Sequence, residues 1–332
     1  MAGACLHATV ATKVSPTAKR TKAVVSKCPG YLYFGIWPRP DTCFPFGMRY
    51  PLLSAVLLLF TALVGRLPAA GPAPLELKVM TYNLRYASNQ PPHAWPDRRP
   101  LLQALITREA PDVIGTQEGL YLQLRELAAD LPAYDWIGLG RAGGSRDEFA
   151  AVYYRRDRLE PVAFDHFWLS ATPDVVGSIT WGHTYRRMVT WVRFRERTTG
   201  RVFEFWNTHF DHQVEEARQK SAALIRDRIA QTDPAVPLLL VGDFNCTAGR
   251  SRAYEILTQE AGLADTWVLA ARRQNEDLNT FNDFKPARHE GDRIDWILAR
   301  RPVAVSGAAI VGDHESAPFP SDHFPVTATV RF

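Results

Sequence analysis

The chain has 332 residues, 46% of them apolar and 22% charged, the proportions of an ordinary globular protein with length for one large core or two smaller ones. Its net charge of +4 conceals an asymmetry: residues 1–70 hold eight Lys or Arg against the single acid Asp41, a local +7, and subtracting that leaves −3 for residues 71–332. The mildly acidic body gives no support for tight nonspecific binding to nucleic acid through bulk charge.

Residues 1–47 are rich in Ser, Thr, Lys and Pro without sustained periodicity, and read either as an unstructured extension or as sequence ahead of a true start at Met48. From Met48 a basic start leads into an apolar stretch from Pro51 to Gly65 and then into small residues and prolines, the order of a secretory signal peptide over 48–70. Fifteen apolar-stretch residues reach about 22 Å as a helix, short of a hydrocarbon core of roughly 30 Å. Export to a periplasm or the exterior, with cleavage near Ala70, is therefore expected ahead of a permanent membrane anchor. Cys5, Cys28 and Cys43 fall in the leading segment, so a mature chain of 71–332 retains Cys246 alone and no internal disulfide.

From residue 75 strand-like and helix-like stretches follow one another. "LELKVMTYNL" (75–84) alternates with period two, Leu101, Leu102, Leu105 and Ile106 repeat at helical spacing, "PDVIGTQE" (111–118) is a short strand, and Leu120, Leu124, Leu127 and Leu131 mark a second helix. Strands are then predicted at 149–154, 162–170, 188–194 and 202–210 with no helix between them. A long helix over about 213–231, a strand ending at Val241, a helix near 251–261 and strands at 293–299 and 324–331 complete the pattern. This mixed order predicts large sheets covered by helices in one domain, 71–332, with no solenoid repeat.

The chemistry sits where the strands stop. Asn83 ends "TYN", Glu118 ends "GTQE", His209 is followed by Asp211 and His212, Asp243 and Asn245 close "VGDFN", Asp295 opens "DWIL", and Asp322 and His323 stand in "PSDHFPV". Carboxylates and carboxamides at one sheet edge suit a hard cation, which takes oxygen ligands and keeps several waters. Histidines beside them suit proton transfer or stabilisation of an anionic transition state. Each motif alone has a bland explanation, since Asp and Asn are common turn residues and an acid before Gly119 suits a helix N-terminus. Their recurrence at one strand end after another is harder to attribute to turn chemistry.

The ordered set "YNLRY", "GTQEGL", "NTHFDH", "GDFN", "RIDWIL" and "SDHFPV" resembles the endonuclease/exonuclease/phosphatase superfamily over residues 77–332, and "FWLSATPD" and "RRMVTW" resemble its exported bacterial branch. The resemblance implies a four-layer α/β sandwich, two mixed sheets packed face to face with helices outside, and hydrolysis of a phosphoester by in-line water with Mg²⁺ or Mn²⁺. It places Glu118 as principal metal ligand with Asn83 and Asp322 beside it. Asp243 orients or deprotonates the attacking water, and Asn245 holds that water or a phosphate oxygen. His323 contacts a nonbridging oxygen and is oriented by Asp295, while His209 stands near the leaving group and Glu148 is expected to contact it. Arg187 is expected on the phosphate, although a solvated strand-end arginine explains it equally well. Cys246 reads as a packing residue, because an acid with a metal site needs no thiol nucleophile.

Two other classes compete. "HFDH" (209–212) resembles half of a dizinc hydrolase motif, but the position of its first histidine is Asn207. A noncatalytic exported binding module fits the leader but not the full catalytic set. The substrate stays open between nucleic acid, nucleotide, lipid and sugar phosphate. Arg272, Arg273, Lys285 and Arg288 in the polar stretch 271–292, with Arg293 adjoining, are interleaved with acids, and Trp181 and Tyr185 are candidate membrane-facing aromatics. A monomer without a protein partner is expected.

Overall fold

The first strand, β1 (Glu76–Asn83), is buried without interruption from Val79 to Asn83, and its two faces serve different cores. Leu77 and Val79 join one apolar cluster and Met80 and Tyr82 another, as period-two alternation requires of a strand covered on both sides. The computed structural model describes residues 73–312 and 318–332, within a unit running from Leu67 to Phe332. The expected leader at 48–70 and the extension before it lie outside the described residues, among which no helix is long and apolar enough to cross a membrane.

The chain continues through α1 (Trp95–Glu109), β2 (Val113–Leu120), α2 (Tyr121–Asp130), β3 (Tyr134–Ile137), β4 (Glu148–Arg155), β5 (Leu159–Trp168), β6 (Met188–Glu196), β7 (Val202–His209), α3 (Glu215–Ile229) and β8 (Leu238–Asp243). It closes with α4 (Arg252–Glu255) and a π-helical turn (Ile256–Glu260), β9 (Leu263–Asp265), α5 (Thr266–Leu269), β10 (Arg273–Gln274), β11 (Asp295–Arg300), β12 (Ala304–Ile310) and β13 (Val326–Arg331). One sheet has the strand order β10-β12-β13-β1-β2-β4-β3, the other β5-β6-β7-β8-β11-β9. Val113 and Val152 of the first sheet meet Val192, Phe205, Val241 and Ile297 of the second in a shared core. Leu102, Leu105, Leu124 and Leu127 cover the outer face of the first sheet, and Ala222, Ile225, Ile256 and Leu257 that of the second. Helix, sheet, sheet and helix make the expected four-layer sandwich.

Two parallel pairs position the site. β1 and β2 run parallel across α1, and β7 and β8 run parallel across α3, as right-sized crossovers of the βαβ kind demand. Both units therefore deliver two strand ends to the same side of their sheet. Between the sheets Gln117 Nε2 donates to Asn207 Oδ1 at 2.7 Å, and Asn207 Nδ2 donates to the carbonyls of Thr116 and Ala151, each at 2.8 Å. Asn207, which stands where a dizinc motif needs histidine, is thus fully committed to joining the sheets.

The strands β3, β9, β10 and β12 and the short helix α5 were not expected from the sequence pattern. "AVSGAAI" in β12 shows why: small residues give no apolar alternation, and its place is set by the β13 ladder against which it pairs.

Candidate active site

Asn83 and His209 end the first strands of the two parallel pairs, Asp243 ends the second strand of one, and Glu118 lies near the end of the second strand of the other. Ligand sites of α/β sheets form at carboxyl strand ends, where loops diverge and backbone groups open. Here the two sheets bring both sets to one cleft of about 730 Å³, lined among others by Glu118, Glu148, Arg187, His209, Asp243, Asn245, Asp322 and His323. Asn83 and Asp295, each at most 1% exposed, sit behind that wall.

Asn83 connects the acids. Its Nδ2 donates to Glu118 Oε1 at 3.1 Å and to Asp243 Oδ2 at 3.0 Å and lies 3.5 Å from His323 Nε2, while its Oδ1 accepts from the Arg85 amide at 2.9 Å. Glu118 reaches the cleft because the β2/β4 ladder slips between Thr116 and Gly119 and Glu118 takes a left-handed φ of 64°. A non-glycine residue adopts that conformation at a cost of about 1 kcal/mol or more, and such strain gathers at functional positions.

Asp243 and Asn245 do meet in the cleft, but continued strand alternation is not the reason. β8 stops at Asp243. Phe244 turns inward and stacks on Trp296, ring centroids 4.2 Å apart, and a φ of 49° at Asn245 returns the chain to the cleft. The Asn245 amide donates to Asp243 Oδ1 at 2.9 Å and its Nδ2 to the Phe210 carbonyl at 3.0 Å. Cys246, half-buried, packs beside the outer cluster of the second sheet as expected.

The two histidines carry different charge. Burial alone lowers the pKa of His323, but Asp295, 3.0 Å from Nδ1, and Asp243, 3.7 Å from Nε2, more than offset it and raise it to about 10. His209 stands 3.5 Å from the same Asp243 oxygen, yet burial and the nearby Arg187 and Arg141 push its pKa well below 6.5. Burial and Asp295 push Asp243 up to about 7. His323 is therefore a cation and His209 a neutral imidazole at neutral pH.

Glu148 does not have the partner expected for it. Its carboxylate is 2.8 Å from Arg141 Nη1, and Arg141 Nε donates at 2.8 Å to Asp147; no Glu148–His209 contact occurs among the polar contacts of the described residues. Arg141 is 6% exposed and takes the acid because a buried guanidinium needs a counterion more than a neutral imidazole does. Burial still raises Glu148 to about 7. Arg187 is 4% exposed, not solvated, with Nη2 3.2 Å from His212 Nδ1 and Nε 3.8 Å from Asp211 Oδ2. Its Nε and that Asp211 oxygen are buried and face each other as an ion pair too long for a hydrogen bond, while the residue itself lines the cleft. Tyr185 leans on Arg141 and His212 at the same end of the cleft.

Two groups of residues qualify for a metal. Asp243, Asp295 and His323 each offer an atom within 4.8 Å of the others. A cation already occupies that cluster, however, since the His323 imidazolium is held between both carboxylates. Glu118 and Asp322 offer hard oxygens to the cleft with only loose compensation, Arg85 Nη1 at 4.0 Å and 3.5 Å. Burial above all, with the charge of Glu118 adding to it, pushes the Asp322 carboxyl upward against the opposing pull of His323, Arg85 and Arg98. This second set, with Asn83, fits a divalent ion better.

Arg85, Tyr86, Arg141, Phe281 and Phe284 also line the cleft and were not singled out for the site from the sequence. Arg141 lies in a glycine-rich turn with no motif of its own, and Phe281 and Phe284 arrive from the polar stretch 271–292, where charge hides two useful rings.

Comparison with known proteins places this geometry. The sequence profile of the Endonuclease/Exonuclease/phosphatase family matches residues 80–323. A Bacteroides thetaiotaomicron protein of that family is 32% identical in its crystal structure, with a TM-score of 0.74 over 78% of this chain and 98% of its own. A mannosyl-6-phosphatase from the same species is 33% identical, with a TM-score of 0.73 over 77% of this chain and 100% of its own. An uncharacterized protein of Acanthamoeba polyphaga mimivirus is 34% identical over 162 residues, 46% of this chain, and the chain spans 60% of that relative. On the extent of the profile match, and a fold shared over 77–78% of its length at about a third identity, the chain belongs to the endonuclease/exonuclease/phosphatase family.

Proposed function

We propose that the protein is an exported, divalent-metal-dependent phosphoesterase acting on small phosphorylated molecules, sugar phosphates foremost, in preference to nucleic acid. The observation that carries the activity is the meeting of Glu118, Asp322, Asp243, His209 and His323 in one cleft at converging strand ends. Glu118, Asp322 and Asn83 would hold Mg²⁺ or Mn²⁺, which supplies Lewis acidity to a phosphoryl oxygen when bound. Asp243, titrating at about 7, accepts the proton of an attacking water, and its hydrogen bond from the Asn245 amide fixes the carboxylate that does so. His323, with Nδ1 turned to Asp295, directs a charged Nε2–H at a nonbridging oxygen. Neutral His209 faces the leaving group, and Arg187, which lines the cleft, contributes positive charge toward the phosphate.

Similarity to the mannosyl-6-phosphatase and the acidic balance of residues 71–332 support the substrate class. The order of residues 48–70 supports export. The test is a panel of hexose phosphates, nucleotides, inositol phosphates, sphingomyelin, RNA and duplex DNA with Mg²⁺ or Mn²⁺, with and without chelator. Turnover of a phosphoester that chelator abolishes is expected. No turnover of any panel member with any divalent ion leaves a binding module on the same fold, and activity restored only by Zn²⁺ and inhibited by Mg²⁺ points to dizinc chemistry.

A further inference from the structure

Arg98 is an arginine in the interior with no acid to pair with. It lies in the first turn of α1, is 2% exposed, and has no ion pair among the described residues' salt bridges. Its guanidinium instead gives every N–H to a backbone carbonyl. Nε donates to His93 at 3.0 Å, Nη1 to Leu84 and Pro320 at 2.8 Å each, and Nη2 to Arg85 and Tyr86 at 3.0 and 3.1 Å.

Those carbonyls belong to two segments far apart in sequence. Leu84, Arg85 and Tyr86 directly follow Asn83, and the Tyr86 amide donates to Glu118 Oε2 at 3.2 Å. Pro320 stands two residues before Asp322, and Ser321 Oγ closes the same junction by donating to the Asn83 carbonyl at 2.7 Å. Burying a guanidinium without a carboxylate is costly, and burial accordingly lowers the pKa of Arg98, with Tyr82 and Asp322 the nearest groups that favour its charge. A lysine brings three donors on a point charge where arginine brings five in a planar fork. Only the fork can span Leu84 and Pro320 while holding Arg85 and Tyr86.

We infer that Arg98 is a positioning residue for the metal site: it clamps the segment after Asn83 to the segment before Asp322, so that Glu118, Asn83 and Asp322 are held together before an ion arrives. The inference rests on the proposed ligand set. A guanidinium whose hydrogen bonds all go to backbone carbonyls leaves the carboxylate oxygens of Glu118 and Asp322 free of direct hydrogen bonds to it, which a clamp made through those carboxylates would not do.

The test compares Arg98→Lys with Leu105→Ala, a variant two turns further along the same helix in the apolar layer against the sheet, by thermal melting, Mn²⁺ titration calorimetry and steady-state kinetics. Both are expected to lower Tm. Arg98→Lys should also weaken Mn²⁺ binding by about tenfold or more and lower kcat with little change in KM, while Leu105→Ala keeps Mn²⁺ affinity within twofold or so of wild type. Equal Mn²⁺ affinity in Arg98→Lys and wild type overturns the positioning role and leaves the metal reading intact. Wild-type protein that binds no Mn²⁺ overturns the metal reading first, and this inference with it. If Arg98→Lys does not fold, hydrogen exchange of the wild-type chain decides: Mn²⁺ should slow the amides of 84–86 and 321–323 together, and protection of one segment without the other refutes the clamp.

Discussion

At the scale of single residues, the site works by giving identical side chains different charge. His323 is wedged between two carboxylates, while His209 is buried with Arg187 and Arg141 nearby, so the first is held protonated and the second neutral. The consequence for stability has opposite signs. His323, raised in the fold, contributes stability in full below pH 6.5 that is lost as pH rises toward about 10. His209, depressed in the fold, leaves the unfolded chain binding the extra proton below 6.5, so its contribution is present above that pH and lost as pH falls. Urea unfolding of the metal-free protein at pH 7 and 5 should therefore show His209→Gln losing less stability than wild type, by up to about 2 kcal/mol; the same loss in both proteins contradicts a neutral His209. Chemistry at Asp243 and His323 predicts that Asp243→Asn and His323→Ala each lower kcat by about 10² or more with the fold retained by circular dichroism. A fall of less than about threefold would remove both from the mechanism. Cys246 tests the opposite assignment. Burial pushes its thiol up to about 12, so at pH 8 it carries about 10³-fold less thiolate than an ordinary cysteine. Mass spectrometry of its peptide should show slow iodoacetamide labelling in the native protein and fast labelling in urea, and Cys246→Ala should keep full activity.

At the scale of elements, the two parallel units hold the site only while the sheets stay close. Gly115 on β2 is a point of close approach between them: a Cβ there would lie 2.4 Å from Val241 Cγ2 and 2.7 Å from Asn207 Oδ1. Neither neighbour can yield, because Val241 is in the shared core and Asn207 is fixed by three hydrogen bonds. Gly115→Ala should cost about 1–3 kcal/mol by overpacking, read as a lower urea midpoint at unchanged m-value. It should also reduce kcat, since Val241 and Gly115 lead directly into Asp243 and Glu118. An unchanged midpoint would show that the sheets can separate freely. The strands that carry this arrangement were legible because long apolar runs end on Asn, Glu, His and Asp, a pattern that local turn chemistry does not repeat by accident. What was not legible depended on distant partners. β12 has no alternation of its own, and the left-handed turns at Glu118 and Asn245 are imposed by a ladder slip and by the stacking of Phe244 on Trp296. Arg98, set among the charges of "WPDRRP", looks like a solvated helix arginine, and only the carbonyls of residues 84–86 and 320 reveal its use. Glu148 was read as the partner of His209 because sequence shows which acids exist and not that Arg141 competes for one.

At the scale of the whole molecule, charge and cleft shape together decide which phosphoesters the site can serve. Arg85, Arg141 and Arg187 line a cleft of about 730 Å³ together with Glu118, Glu148, Asp243, Asp283 and Asp322, so its charges are mixed and confined to a volume that suits one phosphoryl group. Residues 71–332 as a whole, cleft included, sum to −3, and the arginines of the 271–292 region are partly spent: Arg273 pairs with Glu276 at 2.7 Å and the adjoining Arg293 with Asp265 at 2.9 Å. A duplex laid across such a surface gains one phosphate contact at the centre and few along its length. Proteins that neutralise many phosphates lose affinity steeply with salt, whereas a substrate with one phosphoryl group releases few counterions. Raising NaCl from about 50 to 200 mM should therefore change kcat/KM on a hexose phosphate by less than about threefold, and kcat/KM on that substrate should exceed the value on duplex DNA by about 10² or more. The measurement needs both substrates under the same Mg²⁺ concentration, because chelation by DNA otherwise imitates a salt effect. The reverse ranking, joined to a steep salt slope on DNA, would mean that the loops around the cleft rearrange to present the arginines of 271–292 along a backbone, and the small-molecule assignment would fall with it.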